Sequence, residues 1–447
     1  MLTTLSDRQQ ISAIATGGAK TMNANGNQQP SYMPALVVLT SLFFMWGFIT
    51  SLNDILIPHL KAIFTLSYTQ AMLIQFSFFG AYFVMSLPSG YLVEKLGYRR
   101  GIIIGLSTAG VACLGFYPAA SMQSYPLFLA ALFVLASGIT LLQVAANPYV
   151  TVLGPPATAA SRLNLTQAFN SVGTTVGPFL GSMFILTVAT TAGSPVDTAS
   201  EIETVQGPYL ILAGLLFAIA LVFAQFKLPV VKGTDATTAP ADDHNVPSVW
   251  KHSHLVLGAV AIFTYVGAEV AIGSFLVNFM AQPEVGGLTE QAAGRYLSLY
   301  WGGAMLGRFI GSAVLRTVKP GYVLAFNAAC AIALLLIAMS VAGKVAMWAV
   351  LGIGLFNSIM FPTIFTLGVA RLGRHTGEGS GVLCMAIVGG AIMPVVQGYF
   401  ADTIGLLSSF FVPALCYAYI VFYGLKGHIV RSVPHSEVSA GATRANM

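Results

Sequence analysis

Residues 43–57 read Phe43-Phe44-Met45-Trp46-Gly47-Phe48-Ile49-Thr50-Ser51-Leu52-Asn53-Asp54-Ile55-Leu56-Ile57, a run of hydrocarbon with a carboxylate set inside it. A second apolar run, Leu255 to Phe279, encloses Glu269 in the same way. An acid at the centre of a membrane helix costs roughly 3 kcal/mol on insertion scales, so it persists where it faces a water-filled path or a binding site. These two positions therefore point to a membrane protein that moves a solute.

Composition supports the membrane premise independently. Of 447 residues, 56% are apolar and 8% charged, and the mean hydropathy is +0.79. A spanning helix needs about 20 predominantly apolar residues. Such stretches lie near 34–58, 70–92, 101–120, 126–151, 161–189 and 208–226, then near 253–279, 292–314, 321–342, 345–369, 379–400 and 406–425. The expectation is an all-α membrane protein of twelve transmembrane helices in two six-helix bundles, 34–226 and 253–426. A cytoplasmic linker, 227–252, carries Pro229, Gly233, Pro240 and Asp242-Asp243 between them. Residues 1–33 are polar, with no apolar core ending in a small-residue cleavage site. They read as a disordered N-terminal tail, and 427–447 as a C-terminal one.

Basic residues are retained on the cytoplasmic side of a bilayer. With an internal N-terminus, most of the 20 Lys and Arg fall in cytoplasmic loops, Lys95, Arg99, Arg100, Arg162, Arg316, Lys319, Arg371 and Arg374 among them. Both termini are thus expected in the cytoplasm of a bacterial inner membrane protein. The net charge of +5 then reflects topology and implies no nucleic-acid partner. Cys113, Cys330, Cys384 and Cys416 lie inside predicted spans without paired spacing, which argues against disulfides and zinc clusters. No Gly-rich segment ends in Lys-Ser or Lys-Thr, and no nucleophile elbow or His-pair metal motif is present, so neither ATP-driven transport nor an enzyme is expected.

The halves echo each other faintly. At an offset of 216, Val172, Gly173 and Pro178 fall on Val388, Gly389 and Pro394, and the Gly97-Tyr98 turn has a counterpart at Gly321-Tyr322. Repeats of this kind bind substrate between the halves and rock to give alternating access.

The loop after the second span, Gly90-Tyr91-Leu92-Val93-Glu94-Lys95-Leu96-Gly97-Tyr98-Arg99-Arg100-Gly101, resembles the signature of the major facilitator superfamily. That resemblance implies a cytoplasmic latch made by Glu94, Arg99 and Arg100. More specifically, Trp46 to Leu60, Tyr68 to Phe76, Ala145-Ala146-Asn147-Pro148-Tyr149, Val266 to Glu269, Phe361-Pro362-Thr363-Ile364-Phe365 and Met393 to Tyr399 resemble the fucose and glucose/galactose permease branch. The resemblance spans most of the chain and implies a cation-coupled monosaccharide symporter, with a hexose, an amino sugar or fucose as cargo. A facilitative sugar uniporter is the alternative. Beyond a sugar and membrane lipid no partner is implied, and the chain is expected to act as a monomer.

One departure bears on coupling. Proton-coupled fucose carriers have a membrane Glu where this chain has Gln143, which cannot titrate. Coupling then falls to Asp54 with Asn53, Thr50 and Ser51 around it, to Glu269, or to direct Na⁺ binding, and Na⁺ is favoured over H⁺. No cofactor beyond that ion is expected. Sugar hydroxyls both donate and accept, so their pocket needs amides and carboxylates with an apolar or aromatic wall. Gln143 and Asn147 share one helical face, as do Asn164, Gln167 and Ser171, while Glu269, Asn278, Asn357 and Gln397 offer such groups in the second half. Glu269 has a rival reading as the structural partner of Arg308. Trp46, Phe76, Phe79, Tyr82, Tyr265, Tyr300, Trp301 and Phe361 are candidates for the aromatic wall.

Overall fold

The computed structural model describes residues 32–63, 68–190, 198–225 and 248–430, with the side chains at 49–50, 52–73, 75, 178–190, 198–205, 208 and 290–291 left out. The proposed tails and linker therefore lie mostly outside the described residues. So do the side chains of Thr50, Asn53 and Asp54, although helix backbone runs through all three.

Every described element is helical. The first six long helices are α1 (Met33–Ile63), α2 (Tyr68–Leu96), α3 (Tyr98–Ser121), α4 (Tyr125–Val152), α5 (Ala159–Thr190) and α6 (Thr198–Gln225). Six more follow: α7 (Ser253–Ala281), α8 (Glu290–Val314), α9 (Pro320–Ser340), α10 (Lys344–Gly368), α11 (Gly373–Ile404) and α12 (Leu406–Gly427). In hydrocarbon every backbone N–H and C=O must be satisfied inside the segment, which leaves helices as the solution for spans this apolar. Each predicted span falls on one helix, though α6 starts at Thr198, ahead of the expected 208.

Eight helices are long and apolar enough to cross a membrane over their described residues, and α1 and α6 contribute the shorter apolar stretches Met33–Phe48 and Tyr209–Gln225. The described part of α5, Ala159 to Gly177, and α8 are the more polar stretches. Those two helices face each other across the centre of the molecule.

The internal echo has a structural meaning. Gly173 of α5 sits against the carbonyl of Phe44 in α1, and Gly389 of α11 sits against the carbonyl of Phe263 in α7. A Cβ at either position would collide with backbone, so each glycine sets the close approach of the same helix pair in its half. The second echo is only partial. Gly97 has φ 83° and ends α2 as a true turn. Gly321, by contrast, lies within the first turn of α9, where its missing side chain lets α12 approach, a Cβ there coming 2.5 Å from the Gly424 carbonyl.

The halves meet along two seams, α2 against α11 and α5 against α8. At the end bearing Lys95, Arg99, Arg162, Arg316, Arg371 and Arg374, called here the basic end, both seams are shut. A Cβ on Gly90 would stand 2.8 Å from the Gly377 carbonyl, and one on Gly381 would stand 2.6 Å from the Ser86 carbonyl. Ser380 Oγ donates to the Val144 carbonyl (3.0 Å), and Asn164 Nδ2 donates to Thr363 Oγ1 (3.3 Å), both from one half to the other.

Candidate functional site in the central cavity

Above the shut end, α1, α5 and α8 diverge around a cavity of about 610 Å³, lined by Ser51, Asn170, Ser171, Thr174, Thr175, Ser298, Trp301 and Arg308 among others. That volume lies within the range of about 300–1,000 Å³ usual for small-molecule sites. Its wall is rich in hydroxyls, with one amide, one indole and one guanidinium. Among described candidates for cation coupling, Ser51 reaches this wall, with its Oγ donating to the Phe48 carbonyl at 2.8 Å.

Buried polar pairs lie on the helices around it, and one of them, Ser171 with Arg308, lines the cavity and crosses between the halves. Gln143 Nε2 donates to the Tyr82 hydroxyl, and Gln167 Nε2 donates to Asn147 Oδ1 at 3.3 Å. Asn147 is fully buried, yet its Nδ2 has no hydrogen-bond partner. A buried donor without a partner is costly and is the kind of group a bound hydroxyl would satisfy. One turn along α5 from Gln167, Ser171 accepts a hydrogen bond from Arg308 Nη1 of α8, and Arg308 Nε donates to the Ser358 carbonyl of α10 at 3.1 Å.

In the second half, Asn357 is a buried hub. Its Nδ2 donates to the Tyr300 hydroxyl (2.8 Å), its Oδ1 accepts from Tyr417 (2.7 Å), and its carbonyl accepts from Tyr265 (3.1 Å). The same Tyr265 hydroxyl lies 2.7 Å from Glu269 Oε1, one turn along α7, so its single proton is shared between that carboxylate and the Asn357 carbonyl. Asn357 sits where α10 breaks between its two helical segments, which frees the carbonyls of Asn357 and Ser358 for Tyr265 and Arg308. Arg308 and Glu269 are neighbours without a direct ion pair. Among the described residues the one basic nitrogen within 4.0 Å of a carboxylate oxygen is His375 Nδ1, 3.4 Å from Glu378 Oε2.

The expected residues thus separate by location. Gln143 pairs with Tyr82, Asn147 with Gln167, and Glu269 with Tyr265. Asn278 is exposed further along α7, beyond Ser274. Asn357 lies behind the wall, holding Tyr300 and Tyr417. Gln397 lies away from the cavity, with Nε2 donating to Ser409 Oγ (3.4 Å) and Oε1 unpaired. Of the aromatic candidates, Trp301 lines the cavity, whereas Tyr265 and Tyr300 hydrogen-bond to Asn357 and Trp46 packs against Phe43.

Around the signature loop, the partners differ from a single acid–arginine cluster. Arg99 donates to the carbonyls of Phe223 (3.1 Å) and Ala224, closing the C-terminus of α6. Glu94 faces His375 and Glu378 of α11 across the seam, and Arg100 is exposed. Arg162 caps α4 in the manner of Arg99, donating to the carbonyls of Val150 (3.3 Å) and Thr151 (2.9 Å).

Asn170, Thr174, Thr175, Ser298 and Arg308 were not among the expected site residues. The stripe Asn164, Gln167, Ser171 continues at helical spacing through Thr174 and Thr175, so that signal was legible. Arg308 carries the same burial argument as the two acids. Ser298 has no such signal, because one hydroxyl in a span is common.

The geometry has counterparts among known proteins. A family profile described as Major Facilitator Superfamily matches residues 38–387. The chain is 57% identical over 406 residues to the "Glucose/galactose transporter" of Brucella abortus biovar 1 (strain 9-941), an alignment covering 91% of this chain and 97% of that one. It is 35% identical to the "L-fucose-proton symporter" of Escherichia coli (strain K12), covering 92% and 97%. A crystal structure of FucP described as a major facilitator transporter in the outward conformation superposes with a TM-score of 0.82 at 36% identity, covering 88% of this chain and 99% of that one. With its twelve helices, its echoed halves and its central polar cavity, this chain belongs to the major facilitator superfamily.

Proposed function

We propose that this chain is a secondary active transporter that imports a monosaccharide by cation symport through alternating access. The single observation that carries this reading is the polar cavity of about 610 Å³ between halves that are sealed at one end. Relatives named as glucose/galactose transporter and L-fucose-proton symporter support a sugar as cargo, a hexose such as glucose or galactose being favoured. The basic end is the cytoplasmic one by the retention of Lys and Arg, with both termini on that side of a bacterial inner membrane and the halves bounded at 34–226 and 253–426. In this orientation the cavity belongs to an outward-facing state.

Gln143, Asn147, Gln167 and Glu269 contact the sugar, with Asn278 near the entrance. Asn357 acts through Tyr300, Tyr417 and Tyr265, and Gln397 belongs to the α11–α12 packing behind them. Asp54, with Thr50, Ser51 and Asn53, couples the cation. Na⁺ is favoured over H⁺ because Gln143 is bonded to Tyr82 and has no proton to exchange. Glu94 guards the seam, with Arg99 and Arg100 ordering the adjoining loop. The protein acts as a monomer and needs no cofactor besides the coupling ion.

Uptake by proteoliposomes with imposed Na⁺ or pH gradients, run against a panel of hexoses, tests the whole reading. Accumulation above the external concentration only with a cation gradient supports symport. Uptake that is indifferent to every cation gradient favours the uniporter.

A further inference from the structure

At the basic end, Glu94 of α2 and His375 and Glu378 of α11 bring one ligand atom each to within 4.8 Å of one another. We propose that these three side chains form a binding site for a divalent cation of the zinc class, which clamps α2 to α11 and holds the basic end shut.

The ligands come from opposite halves. His375 and Glu378 share a face at i, i+3 spacing on the first turns of α11, with Nδ1 3.4 Å from Oε2. Neither ring nitrogen of His375 has a hydrogen-bond partner, although both atoms are buried. A second imidazole stands beside it. The His252 ring centroid is 6.4 Å from that of His375, with its Nδ1 on the Val249 carbonyl at 3.2 Å, so it flanks the three ligands without joining them. His254 is excluded, because its Nε2 is on the Ala370 carbonyl at 2.9 Å.

One imidazole and two carboxylates with an open fourth position match tetrahedral N/O coordination. Calcium and magnesium are bound through oxygen, so the imidazole nitrogen in this set favours zinc over both.

The site is conformational. Gly90 and Gly377 meet backbone to backbone beside it, so the three ligands converge only while the α2–α11 seam is closed. A cation that binds one state and not the other shifts the equilibrium towards the first. At about 100 times its dissociation constant the shift is about 100-fold. The binding part stands on geometry alone; the arrest of transport rests on the alternating-access reading above.

The test uses purified full-length protein with any affinity tag removed. ZnCl₂ should raise the unfolding temperature saturably, MgCl₂ should not, and His375→Ala and Glu378→Gln should each abolish the rise. In proteoliposomes with ZnCl₂ on both sides, sugar exchange by the unsubstituted protein should fall about tenfold, and exchange by His375→Ala should not respond. Each variant is compared with itself without metal, so altered folding or basal rate does not enter. A rise that is absent in the parent, or that survives in both variants, overturns the site. Binding that is lost in the variants but leaves exchange by the parent untouched overturns the clamp. A protein that moves no sugar under any gradient would fail the transport reading, while the thermal titration still decides the site.

Discussion

Ser161 and Ser312 exchange hydrogen bonds across the seam between the two halves. Ser161 Oγ donates to the Ser312 carbonyl at 2.6 Å, and Ser312 Oγ donates to the Ser161 carbonyl at 3.1 Å. Both residues are buried, at 4% and 3% exposure, so neither bond competes with solvent. This reciprocal pair ties the start of α5 to the end of α8, where the cavity above them ends. Opening the basic end requires breaking it. Replacing both serines by alanine removes two bonds of about 1 kcal/mol each and should shift the population towards a basic-end-open state by about tenfold or more. Distances between spin labels on α5 and α8 at the basic end should lengthen; unchanged distances would show that other contacts hold the seam.

Asp54→Asn should abolish gradient-driven accumulation while leaving sugar exchange measurable. The amide keeps the shape of the side chain and removes its charge, so ion handling is lost before sugar binding is. Concentrative uptake at the parent level would refute the coupling role.

Gln143→Ala and Glu269→Gln should weaken sugar binding by about tenfold each, the loss expected for one hydrogen bond in a desolvated site. Tyr265→Phe should weaken it less, because it leaves Glu269 in place but releases the carboxylate from its 2.7 Å partner. Calorimetric titration orders the three; equal binding in Glu269→Gln and the parent would remove Glu269 from the site.

Asn357→Leu leaves the Tyr300 and Tyr417 hydroxyls buried without their partner. Each such group costs about 1–3 kcal/mol. The unfolding temperature in detergent should fall clearly, and sugar affinity should fall with it as the wall loosens. Gln397→Leu, whose Nε2 bond is long and whose Oε1 is already unpaired, should be milder on both measures.

Gly389→Val should be far worse than Gly352→Val. A Cβ on Gly389 collides with the Phe263 backbone, whereas one on Gly352 meets only the end of Leu334 at 3.5 Å. Overpacking of a helix contact costs about 1–3 kcal/mol or more. Yield of monodisperse protein after solubilisation separates the two, and equal yields would mean that the α7–α11 contact can spread.

Much of the fold was legible because a bilayer leaves a chain few choices. Apolar runs of helical length had to be helices, and their positions agree with α1–α12. The echo between Gly173 and Gly389 was visible as two letters at a fixed offset, and it marks equivalent helix contacts. The site was legible in part. Polar side chains in spans announce themselves, and Gln143, Asn147, Gln167 and Glu269 each find a polar partner, Tyr82, each other and Tyr265 respectively. Asn357 and Gln397 carry the same signal with a different outcome, since an amide among apolar residues looks alike whether it faces a cavity or a tyrosine.

From its sequence alone, this protein was determined as an all-helical, multi-pass membrane protein, since span length and hydropathy are local properties that the membrane reads directly. Only the tertiary structure decided which polar groups share a cavity, which end is shut and who meets Glu94. Those depend on the rotation of each helix about its axis and on backbone contacts between residues far apart in the chain, such as Gly90 with Gly377. No local pattern encodes such pairings, because they arise from the packing of all the helices at once.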